Sequence, residues 1–516
     1  MLIFRGARGP LSHTHRGARL DHVDGNLATV LERLADELGD RLAVVHGETR
    51  RTWRELDDHA ARLAARLAAE GVGPGSRVGI ALYNGPGYLE TVFAVTKLRA
   101  LPVNVNYRYR ERELVELLGG ARADALVYDP DLESRMRPAL DRLPSVKAVP
   151  FGELTLPPMP RIDRSPDDEW LMFTGGTTGR PKGVVASHRW LSEVVGANAA
   201  KIQGRTTLVA PPLMHGTGLY LSLGCLTSGG TVAYLPSRSY DPGEMAREIE
   251  RLRVAVLVVV GDVFAGPLAD ALDRGDYDVS SLKRVVSAGV TWSAAVKERL
   301  LRHCDAELED VLAASEGGPF ARSVTARGRR ERFELLPGCR VFGDDDRDVE
   351  PGSGQVGRLA APTQPETRYL DDPEASAATF RTIDGVRYVF SGDLVTVEAD
   401  GSLTLLGRGS RVINTGGEKV FAEEVEQVIA AHPAVADVIV TGVPDPRWGQ
   451  RIVAVVAPRG ELTAEQVTDH VGAELAGYKR PREVLFVPEI RRSPAGKADL
   501  AWVRRLVTAA PVSQAG

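Results

Sequence analysis

Between Thr52 and Glu70 apolar residues fall at Trp53, Leu56, Ala60, Leu63 and Leu67, the spacing of a single helix face turned toward a core. Arg77 to Leu82 and Ala125 to Tyr128 are short apolar runs that predict strands, and the unbroken run Val254 to Val260 predicts a buried one. Helical and strand periods alternate in this way along the first two thirds of the chain, which argues for α/β layers. From about Asp344 the pattern changes to short segments punctuated by Gly and Asp through Leu406, as in hairpins of a sheet or small barrel. After Gly407-Arg408-Gly409-Ser410 the alternation of helix and strand resumes, with Glu423 to His432 helical and Val435 to Val443 and Arg451 to Pro458 as strands. The expected fold is therefore α/β. A large N-terminal domain (1–406) holds layered α/β subdomains plus a small β-barrel, a hinge spans 407–412, and a smaller C-terminal α/β domain spans 413–516.

Composition narrows the function classes. A chain of 516 residues is long enough for three or four units at roughly 100 to 200 residues each. Its 43% apolar and 26% charged residues are those of a globular protein. With 64 Lys and Arg against 69 Asp and Glu, the net charge of -5 suggests no nucleic-acid surface, so any phosphate chemistry must be local. The longest apolar run, Val254 to Val260, is far short of the ~20 residues that span a bilayer, and no membrane span is expected. Arg5, Arg8, Arg16 and Arg19 are followed by no apolar stretch, so a secretory signal is not expected and a cytoplasmic location is. The first 22 residues, with His13, His15 and His22 among arginines, read as an arm. Three widely spaced cysteines, Cys225, Cys304 and Cys339, suit buried structural thiols rather than a disulfide framework or a zinc site. Asp344-Asp345-Asp346, between Gly343 and Arg347, reads as a turn with carboxylates in water rather than a metal site.

The segment with most chemistry is Leu171-Met172-Phe173-Thr174-Gly175-Gly176-Thr177-Thr178-Gly179-Arg180-Pro181-Lys182-Gly183, an apolar strand entering a loop of glycines, threonine hydroxyls and a lysine. Glycines let backbone N–H groups converge on an anion, the hydroxyls add donors and Lys182 adds charge, so the loop suits phosphate. It is not a Walker A loop, because Lys182 stands between Pro181 and Gly183. Gly352-Ser353-Gly354-Gln355-Val356-Gly357 matches a dinucleotide fingerprint only in spacing, since it follows a turn with Pro351 and leads into a strand.

Phe173 to Gly183 closely resembles the phosphate loop of the adenylate-forming superfamily of acyl- and aryl-CoA synthetases, peptide-synthetase adenylation domains and luciferases. Five more segments follow in that family's order: Pro212-Leu213-Met214-His215-Gly216; Ser315-Glu316; Phe390-Ser391-Gly392-Asp393; Gly407-Arg408 continuing into Ile413-Asn414-Thr415-Gly416-Gly417-Glu418-Lys419; and Arg492-Ser493-Pro494-Ala495-Gly496-Lys497. The wording of Ile413 to Glu426 and Arg492 to Asp499 is most similar to actinobacterial fatty-acyl-CoA synthetases.

The resemblance implies an ATP- and Mg²⁺-dependent, AMP-forming ligase that activates a small-molecule carboxylic acid, fatty or aromatic, and passes it to CoA. It implies a catalytic set of Lys497, His215, Thr177 and Glu316, with Glu316 also the Mg²⁺ ligand. Thr174, Gly175, Gly176, Thr177, Thr178, Gly179 and Lys182 would hold phosphates. Gly289, Val290, Thr291, Ala313, Ala314 and Ser315 would line the nucleotide, with Asp393 and Arg408 on the ribose. Thr415, Gly416, Gly417, Glu418 and Lys419 would line a CoA tunnel after a mobile C-terminal domain turns about Ser410. His215 would stand between acid and tunnel, with a packed or capping histidine as its rival reading. Three positions depart from the family pattern: Leu312 replaces an aromatic, Gly176 a serine, and Ser410 an Asp or Lys. A homodimer is one assembly left open. The alternative reaction on the same scaffold is activation of nitrite for attack by an aromatic amine, as in natural-product diazotising enzymes.

Overall fold

The computed structural model describes residues 25–175, 181–196, 204–289, 292, 294–326, 332–408, 412–491 and 500–509. The arginine- and histidine-containing arm lies outside them. The helix expected near the start is Trp53–Ala69. Thr52 caps it, its hydroxyl accepting from the Glu55 N–H while the Glu55 carboxylate accepts from the Thr52 N–H. Trp53, Leu56, Ala60, Leu63 and Leu67 are all fully buried, so the predicted face is the packed one. Arg77–Ala81 and Ala125–Tyr128 are neighbours in a four-stranded parallel sheet with Leu101–Asn104 and Lys147–Pro150 at its edges.

The apolar run at 254–260 becomes the strand Val256–Val259, buried throughout and flanked in parallel by Thr206–Val209 and Arg284–Ala288. These strands lie in the middle of a fourteen-stranded sheet, and Glu307–Ala314 pairs in parallel with Arg284–Ala288. The hairpins expected after Asp344 are present and hydrogen-bonded into this same sheet: Arg340–Phe342, Val356–Pro362, Val386–Val397 and Leu403–Arg408 are successive neighbours. Gly318–Thr325, in the same sheet, packs on Val356–Pro362, so this end of the sheet curls over its own core. Gly352 to Gly357 does lead into a strand, Val356–Pro362, and not into a helix.

The C-terminal domain is built on a five-stranded sheet in which Glu418–Phe421, Val412–Thr415, Gly449–Pro458 and Val435–Asp445 are consecutive and Glu483–Phe486 pairs in parallel with Gly449–Pro458. Its helix Ala422–Ala430 packs on Val435–Asp445. Cys225 and Cys304 are buried as expected. Cys339 corrects that expectation, because it lies in the turn before Arg340–Phe342 and is only half-buried. Asp344 and Asp345 face water, whereas Asp346 is tied to Arg381 and lies 3.7 Å from Arg358. Among the described residues no cluster of His, Cys, Asp and Glu could hold a metal on its own, and no helix is long and apolar enough to cross a membrane.

Candidate active site

The phosphate-type loop is carried by a hairpin. Glu169–Gly175 runs antiparallel to Pro181–Ser187, which sets Thr174 opposite Lys182 and Gly175 opposite Pro181 at the loop's base. The Thr174 hydroxyl donates to Glu316 Oε1 at 3.2 Å, and the Tyr369 hydroxyl donates to the same oxygen at 3.0 Å. The Lys182 ammonium sits 5.0 Å from the Tyr369 ring centre and 3.9 Å from Asp372. Thr174, Lys182, Glu316 and Tyr369 therefore form one cluster from three separate parts of the chain. Tyr369 has no counterpart in the sequence motifs, since a lone tyrosine after Arg368 carries no signal of its own.

Glu316 arrives at this cluster on the tight turn between Glu307–Ala314 and Gly318–Thr325, after a bulge between Leu312 and Ala313. That turn also brings Ala313, Ala314 and Ser315 to the wall of a cavity of about 270 Å³. Thr174, Gly289 and His215 line the same cavity, as do Gly416, Gly417, Glu418 and Lys419 from the C-terminal domain. Its apolar wall includes Met172, Val194, Leu221, Val260, Phe264 and Val311. The helix Gly216–Thr227 contributes Gly216, Thr217, Tyr220, Leu221 and Gly224 to the lining. Leu312 does not line the cavity; it packs against the core of the curled sheet.

The roof of the cavity is the turn between Val412–Thr415 and Glu418–Phe421. Gly416 and Gly417 both take left-handed backbone angles, φ 61° and 82°, which a side chain would disfavour. A Cβ on Gly416 would also lie 3.0 Å from the Trp448 ring, and one on Gly417 would lie 3.5 Å from Val260 of the large domain. Thr415 is buried beside the turn and does not reach the cavity.

Glu418 fixes this turn against the large domain. Its carboxylate accepts from Arg108 Nη1 at 2.8 Å and lies 2.9 Å from His215 Nε2, close enough for an ion pair although not aligned as a hydrogen bond. Burial pushes the Glu418 carboxyl up, but His215 and Arg108 together outweigh it and hold it below the usual glutamate range. His215 occupies the position before the helix Gly216–Thr227, yet its side chain does not cap that helix and is turned toward Glu418 instead. The capping alternative for His215 is thereby set aside. Arg108 belongs to none of the six motifs, although the run Tyr107-Arg108-Tyr109-Arg110 carries a visible basic and aromatic signal.

Not every expected residue meets here. Asp393, buried in the strand Val386–Val397, stands opposite Arg408 and takes the Ser391 hydroxyl oxygen as acceptor for its own N–H at 3.0 Å, outside the cavity wall. Gly176, Thr177, Thr178, Gly179, Val290, Thr291, Ser410 and Lys497 lie outside the described residues.

Residues 31–366 match the model of the AMP-binding enzyme family, and residues 424–497 match that of the AMP-binding enzyme C-terminal domain. The chain is 35% identical over 530 residues to the 3-oxocholest-4-en-26-oate–CoA ligase of Rhodococcus rhodochrous, covering 93% of this chain and 95% of that one. It is also 35% identical over 539 residues to the medium/long-chain-fatty-acid–CoA/3-oxocholest-4-en-26-oate–CoA ligase of Mycolicibacterium smegmatis, covering 95% and 98%. Among solved structures, an amide bond synthetase from Marinactinospora thermotolerans superposes with a TM-score of 0.79 at 26% identity, covering 92% of this chain and 99% of that one. Nothing in these relatives favours the nitrite-activating alternative.

Proposed function

The chain belongs to the AMP-binding enzyme family, and we propose that it is an AMP-forming acid–CoA ligase whose acid is apolar. The observation that supports this reading best is the cavity. Its apolar wall meets the Thr174 and Lys182 hairpin on one side and a roof of two glycines on another, so an acid, a phosphate and a narrow thiol chain could share one space. The apolar wall suits the acids that the Rhodococcus and Mycolicibacterium relatives are named for.

In the first half-reaction a carboxylate oxygen of the acid attacks the α-phosphorus of ATP, the bond to the bridging oxygen breaks, and pyrophosphate leaves. Two anions must approach, so cationic groups are needed. Lys182 and the loop it closes would take the β- and γ-phosphates, and Lys497 would bridge the acid and the α-phosphate. Glu316, with the Thr174 and Tyr369 hydroxyls on one of its oxygens, offers the hard oxygen set that Mg²⁺ prefers, and phosphate oxygens and water would complete the coordination. Bound there, the ion would neutralise phosphate charge. Asp393 would accept from the ribose hydroxyls with Arg408 beside it, and Gly289 with Ala313 to Ser315 would line the nucleotide.

In the second half-reaction the CoA thiol, losing its proton, attacks the acyl carbonyl carbon and AMP leaves. We place the hinge at 407–412, with 413–516 turning about Ser410 between the two steps. The glycine turn suits the second step, because Gly416 and Gly417 roof the cavity where only a thin chain could pass.

The test is pyrophosphate release from ATP and Mg²⁺ with short, long and aromatic acids, each with and without CoA. CoA-stimulated release with an apolar acid is expected, together with formation of the thioester. Lys497→Ala is expected to lower adenylate formation by about 10²–10³. Release that ignores CoA for every acid would overturn the ligase reading, and an unimpaired Lys497→Ala would overturn the role of that lysine.

A further inference from the structure

A second group of buried charges crosses from the large domain to the C-terminal domain, and neither the cavity nor the expected chemistry uses it. Glu113 stands in the first turn of the helix Glu111–Gly120 with its side chain 5% exposed. Its Oε2 accepts from the Arg110 N–H at 3.1 Å, which leaves Oε1 aimed across the seam, where it accepts from Lys479 Nζ at 2.8 Å. Lys479, also 5% exposed, lies in the short turn Gly477–Lys479 and donates a second time to Glu424 Oε1 at 2.9 Å. Glu424 belongs to the helix Ala422–Ala430, on the same domain as Lys479, and its other oxygen is buried with no hydrogen-bond partner. The rings of Tyr109 and Tyr478 lie 5.1 and 5.8 Å from the Lys479 ammonium and close the group off from water.

We propose that Glu113 is a positioning residue for the thioester step: through Lys479 it holds the C-terminal domain in the orientation that places Gly416 to Glu418 over the acid cavity. The inference rests on the CoA-ligase reading. A buried ion pair broken in two normally strands a charge, and that penalty would trap a domain that has to turn in every cycle. Here the second carboxylate removes the trap. When the domain turns, Lys479 travels with Glu424 and stays compensated. Glu113 stays behind at a helix N-terminus, where a carboxylate is favoured, and meets water. Lys479 is thus shared rather than owned, and the contact is strong enough to choose an orientation yet able to release.

The test is Glu113→Gln in the full-length enzyme, read in two arms. The glutamine keeps an oxygen for the Arg110 N–H, while toward Lys479 it replaces a charged acceptor with an NH2 donor, so the contact across the seam is removed. Acyl-CoA formation from adenylate made in place is expected to fall about tenfold, because the CoA-accepting orientation is less populated. ATP–pyrophosphate exchange with the acid and no CoA is expected to rise about threefold, because the domain is freed for the other orientation. Opposite movement of the two arms is a result that a merely structural role would not give. Glu113→Asp, one methylene shorter, is expected between the wild type and Glu113→Gln in both arms, and is read in their place should the glutamine variant fail to fold. Both arms falling together, or neither moving, overturns the proposal. If the wild type forms no thioester with any acid, the ligase reading fails and the thioester role of Glu113 is overturned with it, whereas a wild type that forms thioester while neither arm moves in Glu113→Gln overturns the role of Glu113 alone.

Discussion

The Leu27 N–H donates to Nδ1 of His188 at 3.1 Å, so this imidazole, 1% exposed and packed edge-on against Trp170, must carry its own proton on Nε2. Burial holds its pKa down at about 4, against 6.5 for a free imidazole, and Asp168 offsets only part of that. Between those values the unfolded chain binds a proton that the folded chain does not, so stability rises with pH across the interval. The contribution is complete above about 6.5, is lost as pH falls toward 4, and is worth about 3 kcal/mol. Urea midpoints are expected to drop more steeply from pH 7 to pH 4.5 in the wild type than in His188→Gln, and equal slopes would remove His188 as a cause. Single residues are the most legible scale in the sequence where chemistry imposes a local pattern. Thr174, Lys182, Glu316 and His215 are all marked by their neighbours, and each lies at the cavity or in the cluster beside it. Arg108 stands in a visibly basic and aromatic run, but its role is not legible there, because its partner Glu418 is 310 positions away and no local spacing encodes a pair of that range.

The helix Gly216–Thr227 shows how an element can depend on a residue that local preference would replace. Alanine is favoured over glycine inside a helix by about 1 kcal/mol. At Gly218, however, a Cβ would lie 2.3 Å from the Pro212 carbonyl oxygen and 2.9 Å from that of Pro211, and a backbone carbonyl cannot swing aside as a side chain can. The overlap outweighs the helical preference, so Gly218→Ala is expected to destabilise by about 1–3 kcal/mol. The helix would also move, and Thr217, Tyr220 and Leu221 with it, so pyrophosphate release with the best acid should fall in parallel. A denaturation curve shifted toward greater stability would show that the helix has room to spare. Elements such as Trp53–Ala69 are readable because a periodic face and a capping threonine lie within a few residues of each other. Strand pairing is not. Phe333–Leu335 joins Gly318–Thr325 on one side and Leu403–Arg408 on the other, and three residues contain no instruction for a partner some seventy positions away.

At the scale of the molecule the seam between the domains is closed by polar contacts. Arg108 with Glu418, Lys479 with Glu113, and Asn106 donating to the Tyr478 hydroxyl at 3.3 Å all cross it. Apolar cores lie on either side, one in the large domain around Val256 and Val258 and another in the C-terminal domain around Val420, Val425 and Val440. A seam of this kind suits two bodies that must part and rejoin, since directional contacts restore one register while a large apolar face would resist parting. The change of sequence pattern near Gly407 makes a division visible, but not which faces meet, because the residues that choose them are scattered over both domains.

Trp448 gives this seam an optical voice. Of the six tryptophans, Trp53, Trp170, Trp190 and Trp292 are buried, and Trp502 packs on the far side of the C-terminal sheet, whereas Trp448 is half-buried with its ring against Gly416 and the Arg482 guanidinium 3.9 Å above it. Its emission should therefore change when a thiol chain threads past the glycine turn or when the turn leaves the large domain, while the buried indoles stay silent. Titration with CoA is expected to shift the fluorescence of the wild type and leave Trp448→Phe nearly flat. An equal shift in both would place the responsive indole elsewhere. The enzyme would then carry its own lamp beside the glycine turn, and the proposed turning of the domain could be timed with no label attached.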